Sequence, residues 1–528
     1  MEASAKKIEK PRVRIAPSPT GLFHIGTART ALFNYLFAKK YDGVFILRLE
    51  DTDKERSKPE WEKDILEGLS WLKIPWDEGV VSEDPKKYIG DFGPYRQSER
   101  EKVYIKYIKK LLEQGSAYHC FCTKEELEAH RQYQMSIGKP PRYSGKCRNL
   151  SESTVKKYLE DGKSSVIRFK TPDKKVNFND LIKGKIEIDA SLMGDITIAK
   201  SESLPLYNLA VVIDDYEMKI SHVLRGEDHI SNTPKQLLLQ EALGLPHPEY
   251  GHFPLIMGQD KSKLSKRHGA VAISEYREKG YLPETLTNFM AFLGWNPGGE
   301  KEIYPLNILI KEFSLERCRK SSAMFNLKKL DWLNGFYIRN KSLTKITELC
   351  LPYLIRANLI RPIFETGGRL AGIIGTELEE TYLALDTKEK IAPEILEKII
   401  GLYQERLKNI SEISELIDFF FKKDLNYPKE MLFWKDIDEN TLKGVLESTK
   451  TALKGIKDND WSKTYIQEIL AKKTVEMGLT GDRGSILWPL RVALCGKKNS
   501  APPFDIAEIL GKEKTLKRIE EAENKLEL

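Results

Sequence analysis

Long apolar runs are missing from this chain, and no stretch approaches the roughly 20 residues that a bilayer-spanning helix needs. The polar start Met1–Lys10 has neither the apolar centre of a signal peptide nor the Arg-rich character of a transit peptide, so a cytoplasmic protein with no membrane partner is expected. Cysteine is scarce as well. Six in 528 residues, with no regular framework, exclude a disulfide-stapled secreted scaffold and imply reduced thiols. Charge of one sign is also lacking: 85 basic against 78 acidic residues leave a net +7, which permits a polyanionic partner without demanding one. Internal repeats and low-complexity tracts are absent. What remains is a chain with 41% hydrophobic and 31% charged residues, the balance of an ordinary soluble protein, and long enough for about two to four domains.

The front of the sequence reads as an α/β fold. A β-branched alternation over Arg12–Ala16 predicts a strand, a turn-rich stretch follows, and the pattern Ala28–Ala38 predicts a helix. A second strand, Val44–Leu49, runs into the acidic cluster Glu50-Asp51-Thr52-Asp53, which completes a parallel βαβ unit whose ligands should gather at the strands' carboxyl ends. Glu99–Gln114 reads as an amphipathic helix, and short strands among Pro/Gly turns up to about Lys200 suggest an inserted α+β domain. Strand-like segments then resume at Leu206–Ile213, His222–Leu224 and His252–Met257, ahead of a Lys/Ser-rich loop at Lys261–Gly269. Beyond about Lys345 helical periodicity dominates, and an all-helical region is expected.

Two strings carry the chemistry. Pro17-Ser18-Pro19-Thr20-Gly21-Leu22-Phe23-His24-Ile25-Gly26-Thr27 lies between a strand and a helix, where prolines and glycines fix a tight loop and Gly26 lets a nucleotide approach the backbone. His24 there is a hydrogen-bond donor suited to charge that builds on phosphate in a transition state. The second string, Lys263-Leu264-Ser265-Lys266-Arg267, sets three cations and a hydroxyl on a loop, which suits a pyrophosphate leaving group. Either string alone has a bland reading, a structural histidine in one case and a solvated basic patch in the other. Their order and strand-loop contexts are jointly specific.

Together the strings resemble the paired signatures of class I aminoacyl-tRNA synthetases, in the forms HIGT and KLSKR. RIAPSPTG at Arg14–Gly21, LEDTD at Leu49–Asp53, GPYRQSER at Gly93–Arg100, LRGEDHISNTP at Leu224–Pro234 and WPLRVALCG at Trp488–Gly496 narrow the resemblance to bacterial-type glutamyl-tRNA synthetases. The resemblance implies a Rossmann-type parallel-sheet catalytic domain with an inserted α+β acceptor-binding domain and an all-helical anticodon-binding region. Its boundaries would be 1–115 for the first catalytic half, 116–205 for the insertion, 206–275 for the second half with the KLSKR loop, 276–345 for a stem-contact region and 346–528 for the helical region. It implies ATP, L-glutamate and tRNA(Glu) as substrates, Mg²⁺ with the nucleotide, and a monomer.

By the same resemblance His24, Lys263 and Lys266 carry catalysis, and Thr20, Gly26, Thr27, Ser265, Lys266 and Arg267 hold ATP. Glu50 takes the amino group of glutamate, Arg14 and Arg225 with Tyr207 share its side-chain carboxylate, and Ala16 and Ser18 line the floor. An amide cannot satisfy two buried guanidinium groups, so glutamine should be rejected by roughly four decades without an editing site. Cys120, Cys122 and Cys147 match the zinc-binding form of the acceptor-stem domain, the fourth position falling to Tyr143 or to water. Reduced cysteines in a small metal-free core are the alternative. Arg406 and Arg491 match anticodon contacts. A form that also charges tRNA(Gln), and a tRNA-binding relative without catalysis, are the competing readings.

Overall fold

The computed structural model describes residues 10–82, 84, 87–265, 267, 269–363, 381–479 and 482–527. Lys266, and all of the polar start except Lys10, therefore lie outside the described residues. The chain forms two compact units, Met1–Arg277 with Pro283–Leu330, and Glu278–Leu282 with Asp331–Leu528.

In the first unit, strand Arg12–Ile15 runs parallel to Val44–Leu47, with Arg12 opposite Val44 and Ile15 opposite Leu47. Val13, Arg14 and Ile15 are all buried, so the strand is covered on both faces, as a parallel strand inside an α/β fold is. The connecting helix, Ile25–Lys40, is covered on every side: each residue from Ala28 to Ala38 is buried, including Arg29 and Asn34. A helix with so little polar face belongs inside a layered α/β core. Strand Glu78–Val80 extends the sheet in parallel, and Tyr88–Ile89 closes its edge antiparallel.

The second half of the sheet is built from His222–Gly226 and Glu249–Phe253, parallel and in a register that sets Arg225 opposite His252. Ser221 joins the halves, donating its N–H to the carbonyl of Arg12 (2.9 Å). The hairpin of Lys175–Asp180 and Gly184–Asp189 lies in this second sheet, where Asp180 pairs with Tyr250. A separate antiparallel sheet, in the order Leu204–Pro205, Thr197–Ser201, Val166–Phe169 and Ala117–Cys120, carries the cysteine cluster.

One expected strand is a helix. Leu206–Ile213 reads as β because of its contiguous apolar run, yet the chain enters helix Tyr207–Glu217 immediately after an extended Leu206. Leu209 to Asp215 are all buried in it, and an unbroken apolar run does not distinguish a buried strand from a buried helix.

The second unit is dominated by helices, among them Leu343–Arg356, Glu439–Lys454, Lys463–Glu476, Gly484–Cys495 and Pro503–Glu527, the last bent at Gly511 with φ 78°. A small antiparallel sheet of Ile360–Pro362, Tyr382–Ala384 and Lys390–Ile391 accompanies them, a feature that helical periodicity alone did not suggest. Among the described residues no helix is long and apolar enough to cross a membrane.

Candidate active site

A cavity of about 890 Å³ opens at the carboxyl ends of the parallel strands. Arg14, Ala16, Ser18, Thr20, His24, Gly26, Thr27 and Glu50 from the front of the sequence line it together with Tyr207, Arg225 and Lys263 from the middle. The two strings thus converge on one space. Backbone pairing holds them there: Ile25 N–H donates to Val271 (2.8 Å) and Ile273 N–H to Phe23 (2.9 Å), which ties the segment after the lysine loop to the segment around His24. Ser265 and Arg267 do not line the cavity. Arg267 instead lies 3.2 Å from Asp260 of its own loop, with its side chain largely exposed.

His24 caps the helix Ile25–Lys40. Gly26 N–H donates to its Nδ1 over 3.0 Å, so in the neutral ring the hydrogen sits on Nε2. Burial and the nearby Lys263 ammonium lower its pKa against the pull of Glu275, which favours that neutral donor form. A side chain at Gly26 would press on the His24 ring, since its Cβ would stand 3.3 Å from Nδ1. Lys263 reaches Asp228 at 3.8 Å.

Arg14 and Glu50 belong to a buried ionic network. Arg14 grips Asp215 through Nε (3.0 Å) and Nη2 (3.3 Å), and Arg48 spans Asp215 and Glu50. Burial raises the pKa of Glu50, with Arg48 and Arg14 opposing. Burial also pushes Asp215 up, but Arg14 and Arg48 overcome it and hold the carboxyl below its ordinary range. Arg225 differs from its counterparts. It is buried, its hydrogen-bond partners are the neutral groups of Thr233, Gln236, His252 and Tyr207, and among the described residues it has no carboxylate within ion-pair distance. The cavity therefore contains a buried cation, set over the Tyr250 ring at 5.6 Å, that no carboxylate among the described residues answers.

Lys200, Asp228, His229 and Asn232 also line the space and went unrecognised in the sequence. His229, 3.0 Å from the Tyr207 hydroxyl, has its pKa lowered to about 4 by burial and by Arg225. The only clue to it in the sequence was its place inside LRGEDHISNTP.

A second cluster lies in the antiparallel sheet. The sulfurs of Cys120, Cys122 and Cys147 are all within 4.8 Å of one another, and the Tyr143 hydroxyl stands 3.3 Å from Cys120 Sγ and 3.6 Å from Cys122 Sγ. Three sulfurs and an oxygen at this spacing fit a tetrahedral ion of zinc size. His119 takes no part, being paired with Ser165 at 3.2 Å. In the second unit Arg406 is exposed and donates from Nη1 to the Ser500 carbonyl (2.7 Å), while Nε of Arg491 is buried with no hydrogen-bond partner among the described residues.

A family model described as tRNA synthetases class I (E and Q), catalytic domain, matches residues 10–332, and one described as an anticodon binding domain matches residues 345–523. The chain belongs to the class I tRNA synthetases of the E and Q group. Among curated members it is 44% identical over 509 residues to a glutamate–tRNA ligase of Carboxydothermus hydrogenoformans, covering 96% of this chain and 98% of that one. It is 43% identical over 521 residues to glutamate–tRNA ligase 1 of Caldicellulosiruptor saccharolyticus, covering 96% and 98%. A solved class I synthetase, the glutamate tRNA ligase of Elizabethkingia meningosepticum in complex with its amino acid, aligns with TM-score 0.82 and 34% identity over 98% of this chain and 99% of that chain. The HIGT and KLSKR strings of this synthetase thus lie within the catalytic match.

Proposed function

We infer that this chain is a glutamate–tRNA ligase, converting ATP, L-glutamate and tRNA(Glu) to L-glutamyl-tRNA(Glu), AMP and diphosphate through a glutamyl adenylate. The observation that carries this reading is the charge set gathered in one cavity: an Arg225 with no carboxylate partner among the described residues, Glu50, and His24 with Lys263 at the nucleotide string. Glutamate has two carboxylates and an ammonium. Glu50 receives the ammonium, and Arg225 with the Tyr207 hydroxyl receives the side-chain carboxylate. Arg14, already bidentate with Asp215, contributes field more than a free fork. Ala16 and Ser18 shape the floor.

The α-carboxylate of glutamate attacks the α-phosphorus of ATP in line, and diphosphate leaves. No protein nucleophile is required, because positioning and electrostatic stabilisation suffice. Thr20, Gly26 and Thr27 border the nucleotide, His24 donates Nε2–H to a phosphate oxygen, and Lys263, with Ser265, Lys266 and Arg267 of its loop, follows the diphosphate. Mg²⁺ bound to ATP would neutralise phosphate charge. The terminal ribose hydroxyl of tRNA then attacks the anhydride carbonyl and releases AMP.

In this division of labour residues 116–205 hold the acceptor stem, 276–345 contact the stem, and Arg406 and Arg491 read the anticodon from 346–528. Cys120, Cys122, Cys147 and Tyr143 would hold a Zn²⁺ that supplies folding free energy to the insertion. The deciding experiment is aminoacylation of purified tRNA(Glu) and tRNA(Gln) with labelled glutamate and ATP. Charging of tRNA(Glu) is expected; its failure overturns the reading, and equal charging of both identifies the form that does not discriminate. Diphosphate exchange without tRNA is expected to be negligible, as the family resemblance implies, and robust exchange would remove that part.

A further inference from the structure

Arg225 is held from behind by a chain of side chains that starts elsewhere in the sequence. Asp180 ends strand Lys175–Asp180, and its Oδ1 accepts the backbone N–H groups of Ile182 (2.9 Å) and Lys183 (2.7 Å), so the carboxylate has little freedom. Its Oδ2 stands 2.6 Å from Nδ1 of His252. A carboxylate can only accept, which places the hydrogen of the neutral ring on Nδ1 and leaves Nε2 as a lone pair. That lone pair faces Nε of Arg225 at 3.2 Å and the Thr233 hydroxyl, itself bonded to Arg225 Nη2, at 3.1 Å. The backbone fixes the spacing, because Arg225 and His252 are register partners on adjacent parallel strands. His252 and Asp180 have no exposed side-chain surface. An imidazolium could not accept from a guanidinium, and burial with the field of Arg225 lowers the His252 pKa against Asp180.

The remaining donors of Arg225 are divided unevenly. Nη2 donates to Thr233 Oγ1 (2.9 Å) and Gln236 Oε1 (2.8 Å), whereas Nη1 has the Tyr207 hydroxyl at 3.5 Å. Tyr207 and Arg225 both line the cavity. With Nε and Nη2 tied to the protein, the guanidinium plane is set and Nη1 is the loosely held edge. A planar fork selects a carboxylate by geometry as well as charge, so its selectivity depends on what prevents it from turning.

We propose that His252, oriented by Asp180, is the positioning residue that sets the plane of Arg225 and thereby the preference of the site for a side-chain carboxylate over the corresponding amide. The proposal rests on the reading of Arg225 as the partner of the substrate's side-chain carboxylate. It adds two residues, 72 positions apart, neither of which lines the cavity.

The test uses the full chain with glutamate, glutamine, ATP and tRNA(Glu). His252→Asn keeps an amide donor for Asp180 but withdraws the acceptor from Arg225, while His252→Gln carries an amide oxygen toward the position of Nε2. In His252→Asn the KM for glutamate should rise roughly 10- to 100-fold, the loss of one hydrogen bond to a charged group, with kcat within about threefold. The KM for ATP should not move, the preference for glutamate over glutamine should fall about tenfold or more, and His252→Gln should recover most of both. Joint loss of kcat and every KM, equal damage from Asn and Gln, or a glutamate KM within about twofold of wild type in His252→Asn would each overturn the proposal. If His252→Asn does not fold, Asp180→Asn supplies a second arm. It keeps the shape, removes the charge that fixes the ring, and should shift the glutamate KM in the same direction; an unchanged KM there also overturns the proposal. Failure of the underlying reading looks different, since Arg225→Gln would then leave the glutamate KM unaltered whatever the His252 variants do.

Discussion

The Arg48 guanidinium donates from Nη1 to Asp215 across 2.8 Å and from Nη2 to Glu50 across 3.2 Å, without any exposed side-chain surface of its own. Arg14 meets the same Asp215, and Arg100 meets Asp214 at 2.7 Å, so three guanidinium groups face three carboxylates beneath the cavity. Arg48→Met leaves the buried acids in excess. It should lower the unfolding free energy by roughly 3 to 5 kcal/mol, seen as a lower denaturant midpoint, and a loss under about 1 kcal/mol would contradict this account.

His24 caps the helix and is proposed to serve the chemistry, and the two roles separate by substitution. His24→Asn retains a good N-cap but loses the Nε2 donor, so stability should stay within about 0.5 kcal/mol while adenylate formation falls roughly 100-fold or more. His24→Ala should lose about 1 kcal/mol of stability in addition. Equal rates for His24→Asn and wild type would remove His24 from the reaction.

Stability should fall on mild acidification. His229 stays neutral in the folded chain down to about pH 4, whereas the unfolded chain takes up the proton near the ordinary value of 6.5. Because the unfolded state binds the proton first, the folded state loses ground as pH drops through that window, by roughly 2 to 3 kcal/mol for this group. His24 and His252, also shifted down, act in the same direction. Urea unfolding between pH 7.5 and 4.5 measures the slope, and His229→Gln should flatten it by about one proton.

Much of this was legible in advance where local chemistry dictates structure. The convergence of the Pro/Gly turn before His24 with the start of the lysine loop was readable, and His24, Lys263 and Leu264 border the same cavity. The helix Tyr207–Glu217 was not, since its apolar run carries no period. The ionic network was out of reach for another reason: Arg48 and Asp215 are 167 residues apart, and pairing at that range leaves no local trace. The acidic doublet Asp214-Asp215, set directly after a buried run, was the one available hint. Arg14 was expected to share the side-chain carboxylate with Arg225, and its pairing with Asp215 through Nε and Nη2 left no trace in the sequence.

The thiol cluster should contain metal. Purified protein is expected to carry about one zinc per chain, and Cys122→Ser should release it and destabilise the insertion. Well under one zinc in the unaltered protein, by elemental analysis, would leave the cysteines as a small core.

Arg406→Gln should loosen discrimination between tRNA(Glu) and tRNA(Gln) by roughly tenfold, the worth of one good base contact, while leaving the KM for ATP intact. Unchanged charging ratios would assign Arg406 to its bond with Ser500 alone.

The hairpin of Lys175–Asp180 and Gly184–Asp189 falls within the 116–205 expected as the insertion, yet it lies in the sheet of His222–Gly226 and Glu249–Phe253, where Asp180 meets Tyr250 and His252. A chimaera that exchanges 116–205 between relatives would therefore transplant the proposed anchor of Arg225 along with the proposed acceptor-binding surface. Grafts cut inside that hairpin's flanks, sparing Asp180, should preserve amino-acid choice; grafts cut at the outer boundaries should drift in it even when every cavity-lining residue of the recipient is untouched.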